Sequence, residues 1–190
     1  MLNKPILRIA LSLLFLPAMY SAAQDSKENK GFSASVETEV PTDTTRWLDF
    51  WVGTWEAAWD EGHGIEPYGT NSITKVLDGK VVLEQFQVEA GKMKGFKGTS
   101  ISVYTPQHSV WHQAWADNQG GYFNFDGSTH AGKRIFSTKP GEVKGQVRIQ
   151  RMVFHDIRED SFVWDWEETK DGGNTWNPLW KIYYTRLDTK

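Results

Sequence analysis

Cysteine is absent from the 190 residues. Disulfides, thiol nucleophiles, thiolate metal ligands and lipid anchoring through a cysteine are excluded together, so stability must come from packing alone. An excess of one charge is also lacking. Twenty-one Lys and Arg stand against 24 Asp and Glu, a formal net charge of -3 with both signs interspersed. That gives no electrostatic case for nucleic acid. No Gly-x-Ser-x-Gly, Walker loop or dinucleotide fingerprint occurs, which leaves acyl, phosphoryl and hydride chemistry without support. Long apolar runs are missing too. The stretch from Ile9 to Tyr20 is too short and too soon ended to span a bilayer. With Lys4 and Arg8 before it and Ser21-Ala22-Ala23 after it, residues 1–23 read as a cleaved secretory signal. The expectation is a periplasmic or secreted protein with no membrane insertion after cleavage.

Residues 24–43 are polar and carry almost no large apolar side chains, so they read as a flexible linker that buries too little surface to offset the entropy of ordering. A single domain is predicted over 44–190, an ordinary size for one core. It holds all ten tryptophans of the chain. Indoles are large and costly to expose, so they must fill a core, line a cavity or form a binding surface.

Sustained helical periodicity is missing from this domain. Short β-runs broken by Gly, Asp, Asn and Pro predict strands near 53–60, 68–77, 81–89, 97–105, 109–117, 121–127, 132–138, 144–157, 161–169 and 179–188. Trp47, Phe50 and Trp51 recur at three- and four-residue spacing, which predicts a short helix over Thr44 to Val52 with Thr44 or Thr45 as cap. Asp78-Gly79 is a two-residue hairpin candidate, Asp117 to Gly121 a longer turn, and Lys139-Pro140-Gly141 a third. Ten strands joined in sequence predict an all-β fold, a single up-and-down antiparallel barrel.

Thr169-Lys170-Asp171-Gly172-Gly173-Asn174-Thr175-Trp176 resembles the Asp-box hairpin, with Thr where Ser is usual. The resemblance implies a structural turn, and a single copy does not make a sialidase-type propeller. Phe50-Trp51-Val52-Gly53-Thr54-Trp55-Glu56, answered by Tyr183-Tyr184-Thr185-Arg186, resembles the closure of the calycin superfamily of lipocalin-like barrels. With Trp111, Trp115-Ala116-Asp117 and the segment from Trp164 to Trp176, the chain is similar to an uncharacterised family of secreted bacterial calycin-like proteins. The resemblance implies a barrel plugged by Trp55 with Arg186 lying across it. It implies a container and names no contents.

Strand alternation then sorts candidate lumen residues. Trp164 and Trp166 share one face, Asp165 and Glu167 the other, and a solvated outer face beneath an aromatic inner one is the favoured arrangement. Glu84 lies on the face of Val82 and Phe86, where a carboxylate must be paired, hydrogen-bonded or protonated. Arg148 or Arg151, whichever points inward, is its candidate partner, and Gln113, Tyr104 and Tyr184 complete a candidate polar cluster. Trp55, Trp59, Trp111, Trp115, Trp164 and Trp166 would shape the cavity. Glu84, Gln113, Arg151 and Tyr184 would orient a small, partly polar organic ligand.

Histidines at 63, 108, 112, 130 and 155 have no zinc-site spacing, and no metal is expected. A haem needs one axial ligand, and nitrobindin, a haem barrel of similar kind, makes His155 or His112 a candidate. That protein has glycines after its Gly-x-Trp, whereas Glu56-Ala57-Ala58-Trp59 follows here, so no cofactor is expected. The basic hairpin at 91–98 is either a solvated loop or an anion-attracting rim. Two other readings stand beside the binder: a cofactor-independent lyase, isomerase or hydrolase using Glu84, and a docking module whose exposed tryptophans meet a protein or glycan.

Overall fold

Alternating strands separated by turn residues close here into one sheet. The computed structural model describes residues 39–187; the predicted signal and the linker up to residue 38 lie outside the described residues. The strands are β1 (Gly53–Asp60), β2 (Ile65–Val76), β3 (Val81–Val88), β4 (Lys97–Thr105), β5 (Val110–Asp117), β6 (Tyr122–His130), β7 (Lys133–Ser137), β8 (Gly141–Val143), β9 (Gln146–His155), β10 (Ser161–Thr169) and β11 (Asn177–Arg186). Ten of them form a closed antiparallel barrel in the order β1 to β7, β9, β10, β11, with β11 returning to β1. Short β8 pairs with β9 beyond the end of β7. Among the described residues no helix is long and apolar enough to cross a membrane.

The turns show where local chemistry decided and where it did not. Asp117 fixes its turn by accepting from the amides of Gln119 and Gly121, each at 2.9 Å. The Asp78-Gly79 turn spans four residues, Leu77 to Lys80, rather than two, with Leu77, Asp78 and Gly79 all at positive φ. Lys139-Pro140-Gly141 is not a turn. It lies across the break between β7 and β8, where proline has no N–H for the ladder, and the chain reverses later at Lys144-Gly145, both at positive φ.

The Asp-box segment folds as a side-chain-braced hairpin. Asp171 accepts from the Thr175 amide at 2.9 Å and from the Thr169 and Thr175 hydroxyls at 2.7 and 2.6 Å. Those donors hold its carboxyl far below the usual carboxylate range. Trp176 packs back over the turn and carries the Arg151 guanidinium 3.6 Å from its ring centre.

One barrel end is plugged. The short N-terminal helix takes the form of two 3-10 turns, Thr44–Arg46 and Asp49–Trp51. Asp43, not Thr44 or Thr45, caps the first by accepting from the Thr45 amide at 3.0 Å. Thr44 instead serves the barrel wall, donating to the Tyr104 hydroxyl at 2.9 Å and accepting the Trp111 indole N–H at its carbonyl at 2.7 Å. Phe50 and Trp51 drop onto Phe154 and Phe162 in edge-to-face contacts. Each such pair adds roughly 1 kcal/mol beyond the area it buries. The attachment begins before the predicted domain start, since the carbonyl of Glu39 accepts from Arg134.

Trp55 is fully buried beneath this plug and donates to the carbonyl of Trp51 at 2.8 Å. Arg186 lies 4.0 Å above its ring and donates to the carbonyls of Phe50, Val52 and Glu159. Gly53 makes that position available: its φ is 139°, and a Cβ there would collide with the Arg186 guanidinium. Glycine, indole and arginine thus form one device, the glycine leaving room for the cation that ties both chain ends to the plug.

Candidate binding site in the barrel lumen

Inward and outward faces follow from burial. On β3, Val82, Glu84, Phe86 and Val88 are buried while Gln85 and Gln87 are exposed. On β4 the usual pattern is inverted: Ser100 and Ser102 are buried and Ile101 is 50% exposed. Register explains the inversion. Ser100 stands opposite Glu84 on β3, and Ser102 stands opposite Gln113 on β5.

The outcome is a buried polar row across β2 to β5. Asn71 donates to one oxygen of Glu84 at 2.8 Å and Ser100 donates to the other at 2.6 Å. Gln113 donates to the Ser102 hydroxyl at 2.8 Å. Burial pushes the Glu84 carboxyl from an ordinary 4.5 up to about 7, outweighing the two donors that favour its ionised form. Burial, and then the nearby Glu84 charge, also hold the Tyr184 hydroxyl well above its ordinary value. Among the described residues no donor reaches the buried acceptors Asn71 Oδ1 and Gln113 Oε1. A buried acceptor left unpaired costs about 1–3 kcal/mol, so a further donor brought to this row would stabilise it.

Beyond this row lies the end of the barrel opposite the plug. Trp115, Phe123, Trp164, Trp166 and Trp180 are inward-facing there, yet only partly buried. Trp164 and Trp166 lie nearly parallel, 6° apart, and Trp180 meets both Trp164 and Trp59 edge-on. Trp115 lies over Gly98, where any Cβ would occupy the space of the indole. These inward indoles keep part of their surface accessible at this end, the mouth of the barrel. The basic hairpin sits at this rim, with Met93 and Phe96 packed inward and the Lys92 ammonium donating to the Glu61 carbonyl.

Most of the sequence-predicted residues converge. Glu84, Gln113 and Tyr184 share the polar layer, Trp115, Trp164 and Trp166 line the mouth, and Trp59 is buried beside Tyr68 and Trp180. Trp55, Trp111, Tyr104 and Arg186 belong to the plug. Arg151 is displaced from the expected role: it is on the outer face, 2.7 Å from Glu167 and stacked on Trp176. Arg148 is the inward one, but it pairs at 3.3 Å with Glu168 near the mouth rather than with Glu84. Asp165 and Glu167 lie outside, bound by His155 with Lys181 and by Arg151 respectively.

Both histidines weighed for haem also face away from the lumen. His112 pairs with Asp126 at 2.7 Å, and His155 bridges Asp156 and Asp165 at 2.9 Å each. Among the described residues no group of three His, Cys, Asp or Glu is placed to hold a metal ion. Among the described residues no tryptophan is one of the exposed large hydrophobics. A cavity of about 330 Å³ lies at the plugged end, lined by Pro41, Trp47, Phe50, four arginines and the carboxylates Asp49 and Glu159.

Sequence reasoning missed Asn71, Ser100, Ser102, Phe123 and Trp180. Asn71 was legible two positions before buried Ile73 on the same strand face. The two serines were not, because the intervening Ile101 signals the opposite face. No protein-family model matches the chain, and no curated protein matches it.

Proposed function

We propose that this protein is a periplasmic or secreted calycin-like barrel that binds a small, partly polar organic molecule in its lumen. The observation that carries the reading is the buried row of Asn71, Glu84 and Gln113, with two acceptors lacking protein donors, set beneath a mouth of partly accessible indoles. Few polar groups among many apolar ones is the usual composition of a small-molecule site. The Gly53, Trp55 and Arg186 closure supports the calycin likeness.

Uptake of the neutral dye N-phenyl-1-naphthylamine tests the reading. Enhanced dye fluorescence that is lost with Ala114→Trp, a change on the outer face opposite exposed Ile101, would count against lumen binding. Loss with Phe123→Arg, at the mouth, would support it. Native mass spectrometry of protein purified gently from its own cell envelope then identifies a resident molecule.

A second reading rests on Glu84 itself. A carboxyl brought to about 7 by burial is poised to exchange a proton near neutrality, as a cofactor-independent lyase, isomerase or hydrolase requires. Glu84→Gln separates the two: an enzyme loses turnover, whereas a binder keeps its affinity for neutral ligands.

A further inference from the structure

The polar row has a chemical bias. Its free positions are oxygen acceptors, Asn71 Oδ1 and Gln113 Oε1, and its titratable group is the Glu84 carboxyl. Both amide side chains are at least 98% buried, Asn71 at 1% and Gln113 at 2% exposure, and each donates one N–H to a wall neighbour, Asn71 to Glu84 and Gln113 to Ser102. The two side-chain atoms of the row without any partner are both acceptors, and the acidic group beside them is Glu84.

Cations stand elsewhere. Arg186 and Arg134 lie at the plug, against Trp55 and Phe50, and Arg148 is paired with Glu168 towards the mouth. A carboxylate or phosphate brought to the row would therefore meet Glu84 without a compensating positive charge, at a cost that grows in a low-dielectric interior. A ligand cation meets the reverse situation. It supplies donors to the unpartnered oxygens and a countercharge to Glu84, and indole faces attract it further.

Resting on the lumen-binding reading, we propose that the barrel selects an organic amine, its ammonium head set against Glu84, Asn71 and Gln113 and its apolar body against the mouth indoles. Trp115 stands opposite Ser100, the residue that donates to Glu84, so head and body sites are adjacent layers of one wall. The groups that face Glu84 are Asn71 on β2, Ser100 on β4 and Tyr184 on β11. Tyr184 is the one of these that titrates, and it stays protonated throughout the neutral range. Amine binding consequently strengthens as Glu84 ionises with rising pH, and seating the ammonium draws off the Glu84 proton.

Three probes with similar bodies test this by displacing N-phenyl-1-naphthylamine and by calorimetry at pH 8 and pH 5.5: 2-phenylethylamine, 3-phenylpropanoate and 3-phenylpropanol. The expected result at pH 8 is amine affinity at least about tenfold above that of the carboxylate, lost at pH 5.5 and in Glu84→Gln. Glu84→Gln is checked for folding at pH 5, where it should match the parent. If the dye enters but the carboxylate competes as well as the amine, or the amine preference survives Glu84→Gln, the amine inference is overturned while lumen binding stands. If neither dye nor any probe binds, both fall.

Discussion

Replacing Glu84 with Gln keeps the shape of a fully enclosed side chain and removes its ability to ionise. In the folded chain burial raises this carboxyl from 4.5 to about 7. Between those values the folded state holds a proton that the unfolded state has released. Stability is therefore complete below the unfolded value and falls as pH rises through the folded one. At about 1.4 kcal/mol for each pH unit of separation, the full loss is about 3 kcal/mol by pH 8. Glu84→Gln escapes it. The Ser100 hydroxyl can rotate to accept from the new amide while Asn71 continues to donate to its oxygen, so near pH 5 the two proteins should differ by less than about 1 kcal/mol. Urea unfolding at half-unit steps from pH 4.5 to 8.5 measures the difference. With a slope near 2 kcal/mol per molar urea, the variant's midpoint should move ahead by roughly 1.5 M at the alkaline end. Subtracting the two profiles cancels every other titrating group, including His155. Parallel profiles would refute the account of Glu84 as a buried carboxyl without a countercharge.

The plug should be equally sensitive. Gly53→Ala places a methyl group against the Arg186 guanidinium at a φ of 139° and should cost about 3 kcal/mol, read by denaturant unfolding; a cost below about 1 kcal/mol would contradict the proposed role of the glycine. His155 is raised by hydrogen bonding to Asp165 first, with Asp156 adding to it. Its contribution is full below the ordinary histidine range and disappears as pH rises through its folded value, so its imidazole resonances should titrate above that range in the parent and at lower pH in Asp165→Asn than in the parent. Gly98→Ala should push the Trp115 indole off the strand, lower stability by roughly 2 kcal/mol and weaken dye uptake; unchanged dye binding would remove Trp115 from the site.

Much of this molecule was legible along the chain because the signals were local. Turn residues cut the domain into strands near their observed limits, and alternation placed Trp164 and Trp166 inside with Asp165 and Glu167 outside. Glu84 stood out because a carboxylate between Val82 and Phe86 needs an explanation on any strand. What failed depended on partners distant in sequence. Arg151 looks as suitable as Arg148 until the register of β9 on β10 sets Arg151 opposite Glu167 and turns it outward. Ser100 and Ser102 look like an outer face until β3 and β5 bring Glu84 and Gln113 against them and expose Ile101 instead. The sequence by itself determined an all-β chain of ten barrel strands and one conspicuous carboxyl on an apolar strand face, since propensity, turn chemistry and two-residue periodicity act over short spans. Tertiary structure alone decided which polar residues surround that carboxyl, because side chains on four strands meet only once hydrogen-bond register aligns them.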